Sequence, residues 1–403
     1  MGDATAAAPE PLVVPQGTFL LHRHPERTRE GLRAWDSADS LLLHRVAGVD
    51  PGVGAAWTPV GDDGATLIIG DAFGALSVGL AASRPTVVLD SYCSGVAVRE
   101  NLEAAGVDPS VVEIRGPLEA VAAPSGLPPL DLVVIRPPRQ LALLEHLLRG
   151  VAGYLHPGTV VVAADMVQHI HSSTIQVFER VIGPTITSRA RRRARLLEST
   201  PDPATEPGEW DWPERSLGPR GLKVTSWPGV FAAGRTDPAT ALLADHMATV
   251  GPGTHVVDLG CGDGVLGTLA GIEGADVTFV DDSALALESA RATFLASGGD
   301  ASSARFVHGN ALCDWGGSDG SAIDPGSVDL IVTNPPFHEH RAMGDAIAWQ
   351  MFVDSHRALR SGGEILVVGN RHLAHHAKLR RIFGNCTIVA STSRYVVVRA
   401  SRS

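Results

Sequence analysis

A chain of 403 residues exceeds what one ordinary core organises and suits two domains of about 150 to 200 residues each. A composition of 44% hydrophobic and 19% charged residues is globular and excludes a mainly disordered chain. The formal net charge of −11 excludes broad, nonspecific adhesion to nucleic acid, while local basic runs remain at Arg189, Arg191, Arg192, Arg193 and Arg195 and at Arg371, Lys378, Arg380 and Arg381.

In chain order, the start MGDATAAAPEPLVVPQG has neither the basic n-region nor the apolar run of an export signal, and residues 1–15 are expected to be disordered. Cys93, Cys261, Cys313 and Cys386 include no CxxC pair, so neither a disulfide framework nor a zinc site is expected. No apolar stretch reaches the roughly 20 residues that cross a bilayer. A cytoplasmic, membrane-free and metal-free protein is the expectation; His372, His375 and His376 have suggestive spacing but no acidic or cysteine partner nearby in sequence.

Residues 16–195 and 221–403 then repeat one pattern at coarse grain. ATLIIGDAFGALSVGLAA lines up with HVVDLGCGDGVLGTLAG, pairing Gly70 with Gly260 and Gly74 with Gly264. PTVVLDSYCSGV places Asp90 where DVTFVDDSALAL places Asp281, and LDLVVIRPPRQ matches VDLIVTNPPFH. Each unit alternates short β-branched apolar runs with helix-period segments, which predicts a parallel sheet covered by helices on both faces. The fold class is α/β: two tandem doubly wound, Rossmann-like domains. The proline- and glycine-rich stretch 196–220 reads as the linker between them.

The chemistry lies in the second unit. In VVDLGCGDG a buried strand runs into a turn where Gly260, Gly262 and Gly264 let a ligand approach the backbone. Asp258 just before that turn suits a cationic amino-acid ligand, and a pyrophosphate site would not want it there. Asp281 and Asp282, ending the next strand, suit a ribose diol. NPPF follows a third strand. Its prolines hold the chain in an extended turn, which frees the Asn334 side-chain oxygen and the Pro335 carbonyl to accept hydrogen bonds from one NH2 group. Pro336 completes the turn, and Phe337 offers a face on which a planar group can stack. An amine gripped in this way needs no strong base to attack a sulfonium methyl.

These residues resemble the class I S-adenosylmethionine-dependent methyltransferases with an NPPF/Y motif. Among those, both halves of the chain are similar to the bacterial ribosomal-RNA guanine-N2 methyltransferases of the RsmC and RlmG type. The resemblance implies a catalytic C-terminal domain behind a degenerate N-terminal copy, S-adenosyl-L-methionine as cofactor, and transfer to guanine N2 in 16S or 23S ribosomal RNA, or in the assembled subunit, by a monomer. By the same likeness, WPGVFAAGRTDPATALL brings Phe231, Gly234 and Asp237 around the cofactor, Gly309, Asn310 and Ala311 border the adenine, and His338 follows the catalytic tetrapeptide. Ala239 departs from the family's usual Gly, and Glu339-His340 from its small residue and Gly.

In the first unit Ile68, Ala72 and Phe73 replace Asp258, Gly262 and Asp263, while Arg136 and Arg139 replace Asn334 and Phe337. No catalysis is expected there; the arginine pair suggests RNA positioning through phosphates, and a purely structural role is the other reading. Two further readings stay open for the chain: N-methylation of another planar amine, such as adenine N6 or a protein glutamine, and a non-enzymatic RNA-binding assembly factor.

Overall fold

The computed structural model describes residues 10–26, 32–49, 61, 63–121, 126–205, 212–235, 237–312, 323–336 and 341–403. The chain divides into two compact units, Met1–Trp210 and Asp211–Ser403.

The first unit opens with a hairpin of β1 (Leu12–Val14) and β2 (Gly17–Phe19), followed by α1 (Ser37–Val46). Its sheet contains β3 (Thr66–Ile69), β4 (Thr86–Val88), β5 (Glu113–Arg115), β6 (Leu132–Ile135), β7 (Val160–Met166), β8 (Thr185–Thr187) and β9 (Ala194–Ser199). The covering helices are α2 (Ala75–Gly79), α3 (Tyr92–Ala104), α4 (Pro117–Val121), α5 (Leu141–Ala152) and α6 (Ser172–Val181). The strand order is β5-β4-β3-β6-β7-β9-β8, parallel through β7 and antiparallel beyond it.

The second unit starts with a hairpin of β10 (Glu214–Leu217) and β11 (Lys223–Ser226) and the short helix α7 (Pro238–Ala244). Its sheet holds β12 (His255–Leu259), β13 (Asp276–Asp281), β14 (Ala304–His308), β15 (Val328–Thr333), β16 (Leu359–Asn370), β17 (Thr387–Ser391) and β18 (Tyr395–Ser401). The helices α8 (Val265–Ile272), α9 (Ala284–Ala296), α10 (Arg341–Ala358) and α11 (His375–Phe383) complete it. The order β14-β13-β12-β15-β16-β18-β17 reproduces the first unit position by position, so both halves are the doubly wound domains that the sequence predicts.

Central strands such as β3 and β12 are apolar because helices cover both faces, and each sheet carries one core cluster on either side. The sheet order changes direction beside β12, which leaves a crevice at the carboxyl ends of β12 and β15.

Two boundaries differ from the sequence reading. Leu12, placed in the segment expected to be disordered, is fully buried in β1. The segment read as linker contains the end of β9, with Leu196 and Leu197 fully buried, and all of β10. The short apolar run ARLL was outweighed by the Pro/Gly-rich stretch after it, and the β10–β11 hairpin lacks strong apolar alternation.

Candidate active site in the second unit

The carboxyl ends of three adjacent strands form the rim of the crevice. Asp258 pairs in register with Phe279 of β13 on one side and Val332 of β15 on the other, so the turn after β12, the end of β13 and Asn334 share one edge of the sheet. Thr333 ties two of them, its hydroxyl donating to the Leu259 carbonyl at 2.7 Å.

The turn from Gly260 to Gly264 is left-handed at all three glycines, with φ of 70°, 55° and 77°. A Cβ on Gly264 would come within 2.6 Å of Ala290, so this glycine lets α8 close on α9. A Cβ on Gly262 would meet nothing within 4 Å, which leaves the crest of the turn open to a ligand. Asp281 holds the turn from the side: one carboxylate oxygen accepts the Gly262 N–H at 3.0 Å and the other accepts the Ser283 N–H at 2.9 Å. Asp282 is half-buried, and its carbonyl lies 2.8 Å from the His308 ring.

Asp258 departs from its expected direction. It is 1% exposed, and its Oδ2 accepts the Gly267 N–H of α8 at 2.7 Å, so it braces the helix start instead of presenting its carboxylate to the crevice. Burial, reinforced by the charges of Asp263 and Asp281, pushes its pKa well above the usual carboxylate range.

Asn334 is held in one orientation. Its Nδ2 donates to Asp237 Oδ2 at 3.0 Å and reaches Thr240 Oγ1 at 3.1 Å, while the Thr240 hydroxyl and N–H both donate to that same Asp237 oxygen at 2.9 and 2.7 Å. A flipped amide would set oxygen against oxygen. Asn334 Oδ1 is therefore the atom turned away from this network, and it is buried with no hydrogen-bond partner among the described residues. Pro335 is buried and Pro336 half-buried; Phe337 and His338 lie outside the described residues.

The remaining predicted residues fall on two segments with unusual backbone. Phe231 is 44% exposed on the turn after β11, followed by Ala232 at φ 61° and Gly234 at φ 71°. A Cβ on Gly234 would collide with the Glu214 carboxylate. Past β14, Gly309 donates to the Asp281 carbonyl at 3.0 Å, and Asn310 and Ala311 are half-buried, Ala311 at φ 51°. Non-glycine residues held at positive φ concentrate at binding and catalytic segments.

Residues 10–203 match the family described as RLMG N-terminal domain, and residues 221–399 match the methyltransferase small domain. The chain is 44% identical over 401 residues to the ribosomal RNA large subunit methyltransferase G of Streptomyces avermitilis, covering 97% of this chain and 99% of that one. It is 45% identical over 395 residues to the protein of the same name from Streptomyces griseus, covering 96% and 97%. The chain belongs to the ribosomal RNA large subunit methyltransferase G family. It is a methyltransferase by family, and its second unit carries the methyltransferase domain. In fold it matches a solved structure described as the T. thermophilus 16S rRNA N2 G1207 methyltransferase (RsmC) in complex with AdoMet and guanosine, with a TM-score of 0.72, 23% identity and 98% coverage of both chains.

The residues present fit this cofactor. A glycine crest with open space above it, an orphaned acceptor at Asn334, and the carboxylates of Asp237 and Asp263, which have no ion pair with a cationic side chain among the described residues, make a lining suited to a cationic ligand.

The same positions in the first unit are filled from within. A Cβ on Gly70 would lie 2.7 Å from the Arg136 carbonyl, so the first turn closes on its neighbouring strand. The Arg136 guanidinium forks onto Asp36, with two contacts of 2.9 Å, and also binds Asp39 and, at 3.4 Å, Asp165. The phosphate contact expected of Arg136 is thus replaced by an internal ion-pair cluster, while Arg139 is exposed. Phe73 packs against the core with the Arg23 guanidinium 4.4 Å from its ring centroid.

Four residues at the second site were missed as functional positions: Ser226, Thr240, Asp263 and Thr333. Thr240 had a local signal, because Asp237 followed three residues later by Thr is an N-cap with a partner that can share the carboxylate. The others had none, since their partners are distant in sequence.

Proposed function

We propose that this protein transfers the methyl group of S-adenosyl-L-methionine to the exocyclic N2 of one guanine in large-subunit (23S) rRNA, acting as a cytoplasmic monomer. The observation that carries the reading is the fixed amide of Asn334, with its nitrogen committed to Asp237 and Thr240 and its oxygen buried without a partner among the described residues. A buried acceptor left in that condition costs about 1–3 kcal/mol unless a ligand N–H reaches it.

The cofactor, when bound, supplies a methyl group on a sulfonium. Asn334 Oδ1 and the Pro335 carbonyl accept the two hydrogens of the substrate amine. This weakens conjugation of its nitrogen with the ring and fixes the direction of its lone pair. The proton lost after transfer then has an acceptor-lined way out. Asp281 keeps the glycine turn in shape at the strand end assigned to the ribose hydroxyls; Phe231, Gly234, Asn310 and Ala311 enclose the adenosine; the stacking face is assigned to Phe337, which lies outside the described residues. A base inside an RNA helix does not reach such a crevice, so the target is a loop nucleotide or one turned out of its stack.

The names of the relatives support large-subunit rRNA as substrate, and the N2-guanine activity in the description of the RsmC structure agrees with the chemistry read from Asn334. Mass spectrometry of 23S rRNA nucleosides from cells lacking the gene tests the proposal. One N2-methylguanosine should disappear and return with the wild-type gene but not with Asn334→Ala. An unchanged N2-methylguanosine level in the deletion rejects the substrate.

A further inference from the structure

The carboxylates around the glycine turn differ in where they are held. Asp258 is spent on the Gly267 N–H, Asp281 on two backbone N–H groups, and Asp237 on Thr240 and Asn334. Asp263, inside the turn itself, accepts the Ser226 hydroxyl at the end of β11 at 3.3 Å and is also held by backbone N–H groups of its own turn, at Asp263 and Val265. It faces Asp237 on the α7 side and Asp258 on β12, with Asp281 of β13 and the Cys261 thiol acting on the same buried cluster; no cationic side chain pairs with it among the described residues. In the first unit Phe73 stands at the corresponding position and carries no charge. The charge of Asp263 therefore belongs to the unit with the open glycine crest and is absent where the crest is closed.

On this basis we infer that Asp263 is the counter-charge for the α-ammonium of the cofactor's methionine moiety, and that cofactor binding drives Asp263 to its ionised form and releases a proton. The inference rests on S-adenosyl-L-methionine being the cofactor and is independent of which base is methylated. Burial, with the nearby charge of Asp237 adding to it, raises Asp263 to about 7 in the free protein, so a fraction of the molecules enter binding with this carboxyl protonated. The charge-assisted contact forms only with the carboxylate. Affinity should consequently fall as the pH drops through 7, while the ligand's own α-amino group stays largely protonated below about 7.7.

Isothermal titration of the full-length protein with S-adenosyl-L-methionine, and with 5′-methylthioadenosine as a probe lacking the amino-acid half, tests this at pH 7 and pH 5.5. For the wild type, affinity for S-adenosyl-L-methionine should weaken about tenfold between the two pH values. Titration at pH 6 in two buffers of different ionisation enthalpy should reveal release of most of one proton. Asp263→Asn should lower affinity for S-adenosyl-L-methionine about tenfold to a hundredfold at pH 7, abolish the pH dependence and the proton release, and leave 5′-methylthioadenosine unaffected. Equal weakening of both ligands would mark Asp263 as a structural residue of the turn and overturn the inference, as would an unchanged pH profile in Asp263→Asn. Loss of N2-guanine methylation with these titrations as expected would count against the substrate and not against Asp263.

Discussion

The two units share a strand order and differ in what stands at the carboxyl ends of their central strands. In the second unit the crevice is left unfinished: Asn334 Oδ1 has no partner among the described residues, and the Gly262 crest opens onto free space. In the first unit the corresponding features are filled by the protein, although Arg136 Nε is buried without a hydrogen-bond partner among the described residues. Arg136 takes three carboxylates, Gly70 closes on the Arg136 backbone, and Phe73 fills with carbon the place of a carboxyl. Buried polar groups are ordinarily satisfied, and Asn334 Oδ1 is an exception that stands beside an open glycine crest, where a ligand can complete it. One architecture thus carries a site where the crevice is open and a scaffold where the protein's own side chains fill it.

The largest effect expected from this difference is at Asn334. Asn334→Ala should lower kcat by about a hundredfold to a thousandfold, with affinity for S-adenosyl-L-methionine within about twofold of wild type, measured by single-turnover methylation and titration. A parallel loss of cofactor affinity would mean that Asn334 organises the whole crevice. In the first unit, Arg136→Met leaves Asp36, Asp39 and Asp165 without their shared cation. It should destabilise that unit by about 3 kcal/mol in urea unfolding while cofactor titration stays unchanged. An Arg136→Met protein of unaltered stability would show that the cluster is not what holds the old crevice shut.

The parts of this comparison legible in the sequence are those set by local pattern. β-branched runs ending in a glycine turn, an acidic strand end and NPPF each occupy a few consecutive residues, and the parallel-strand topology places them on one edge. What stayed hidden depends on partners far away in the chain. Arg136 read as a free guanidinium because Asp36 and Asp39, at the cap and first turn of α1, precede it by about a hundred residues. Asp258 read as a ligand residue because nothing in VVDLGCGDG says whether its carboxylate turns toward the crevice or under α8. Even β9 was obscured, its buried Leu196 and Leu197 directly preceding a proline-rich stretch.

A feature common to both units gives the next effect. His146 in α5 and His375 at the start of α11 are each 2% exposed, and burial lowers both to about 4. A histidine whose folded pKa lies below its unfolded value near 6.5 adds stability that is fully present above 6.5 and is lost as the pH falls toward 4. At pH 5 the loss amounts to about 2 kcal/mol per histidine. His375→Leu should spare the second unit this loss and His146→Leu the first, read as the change in urea midpoint between pH 7.5 and pH 5. An acid limb unaltered in either variant would show that other groups unfold that unit.

The smallest effect separates the two turns most directly. Gly262 sits at φ 55°, whereas its counterpart Ala72 is not among the left-handed residues, so the two crests differ in backbone as well as in side chain. Gly262→Ala adds a methyl group that meets no protein atom within 4 Å, and the folding cost should be confined to the left-handed conformation, about 1 kcal/mol. The same methyl points into the space read as the cofactor's, and affinity for S-adenosyl-L-methionine should drop about tenfold. The converse change, Ala72→Gly in the first unit, should create no binding there, because Arg136 and Phe73 still fill what a glycine would open. If Gly262→Ala lost stability but bound the cofactor as tightly as wild type, the open crest would be a feature of the turn alone, and the contrast between an unfinished and a completed crevice would have to rest on Asn334 and Arg136.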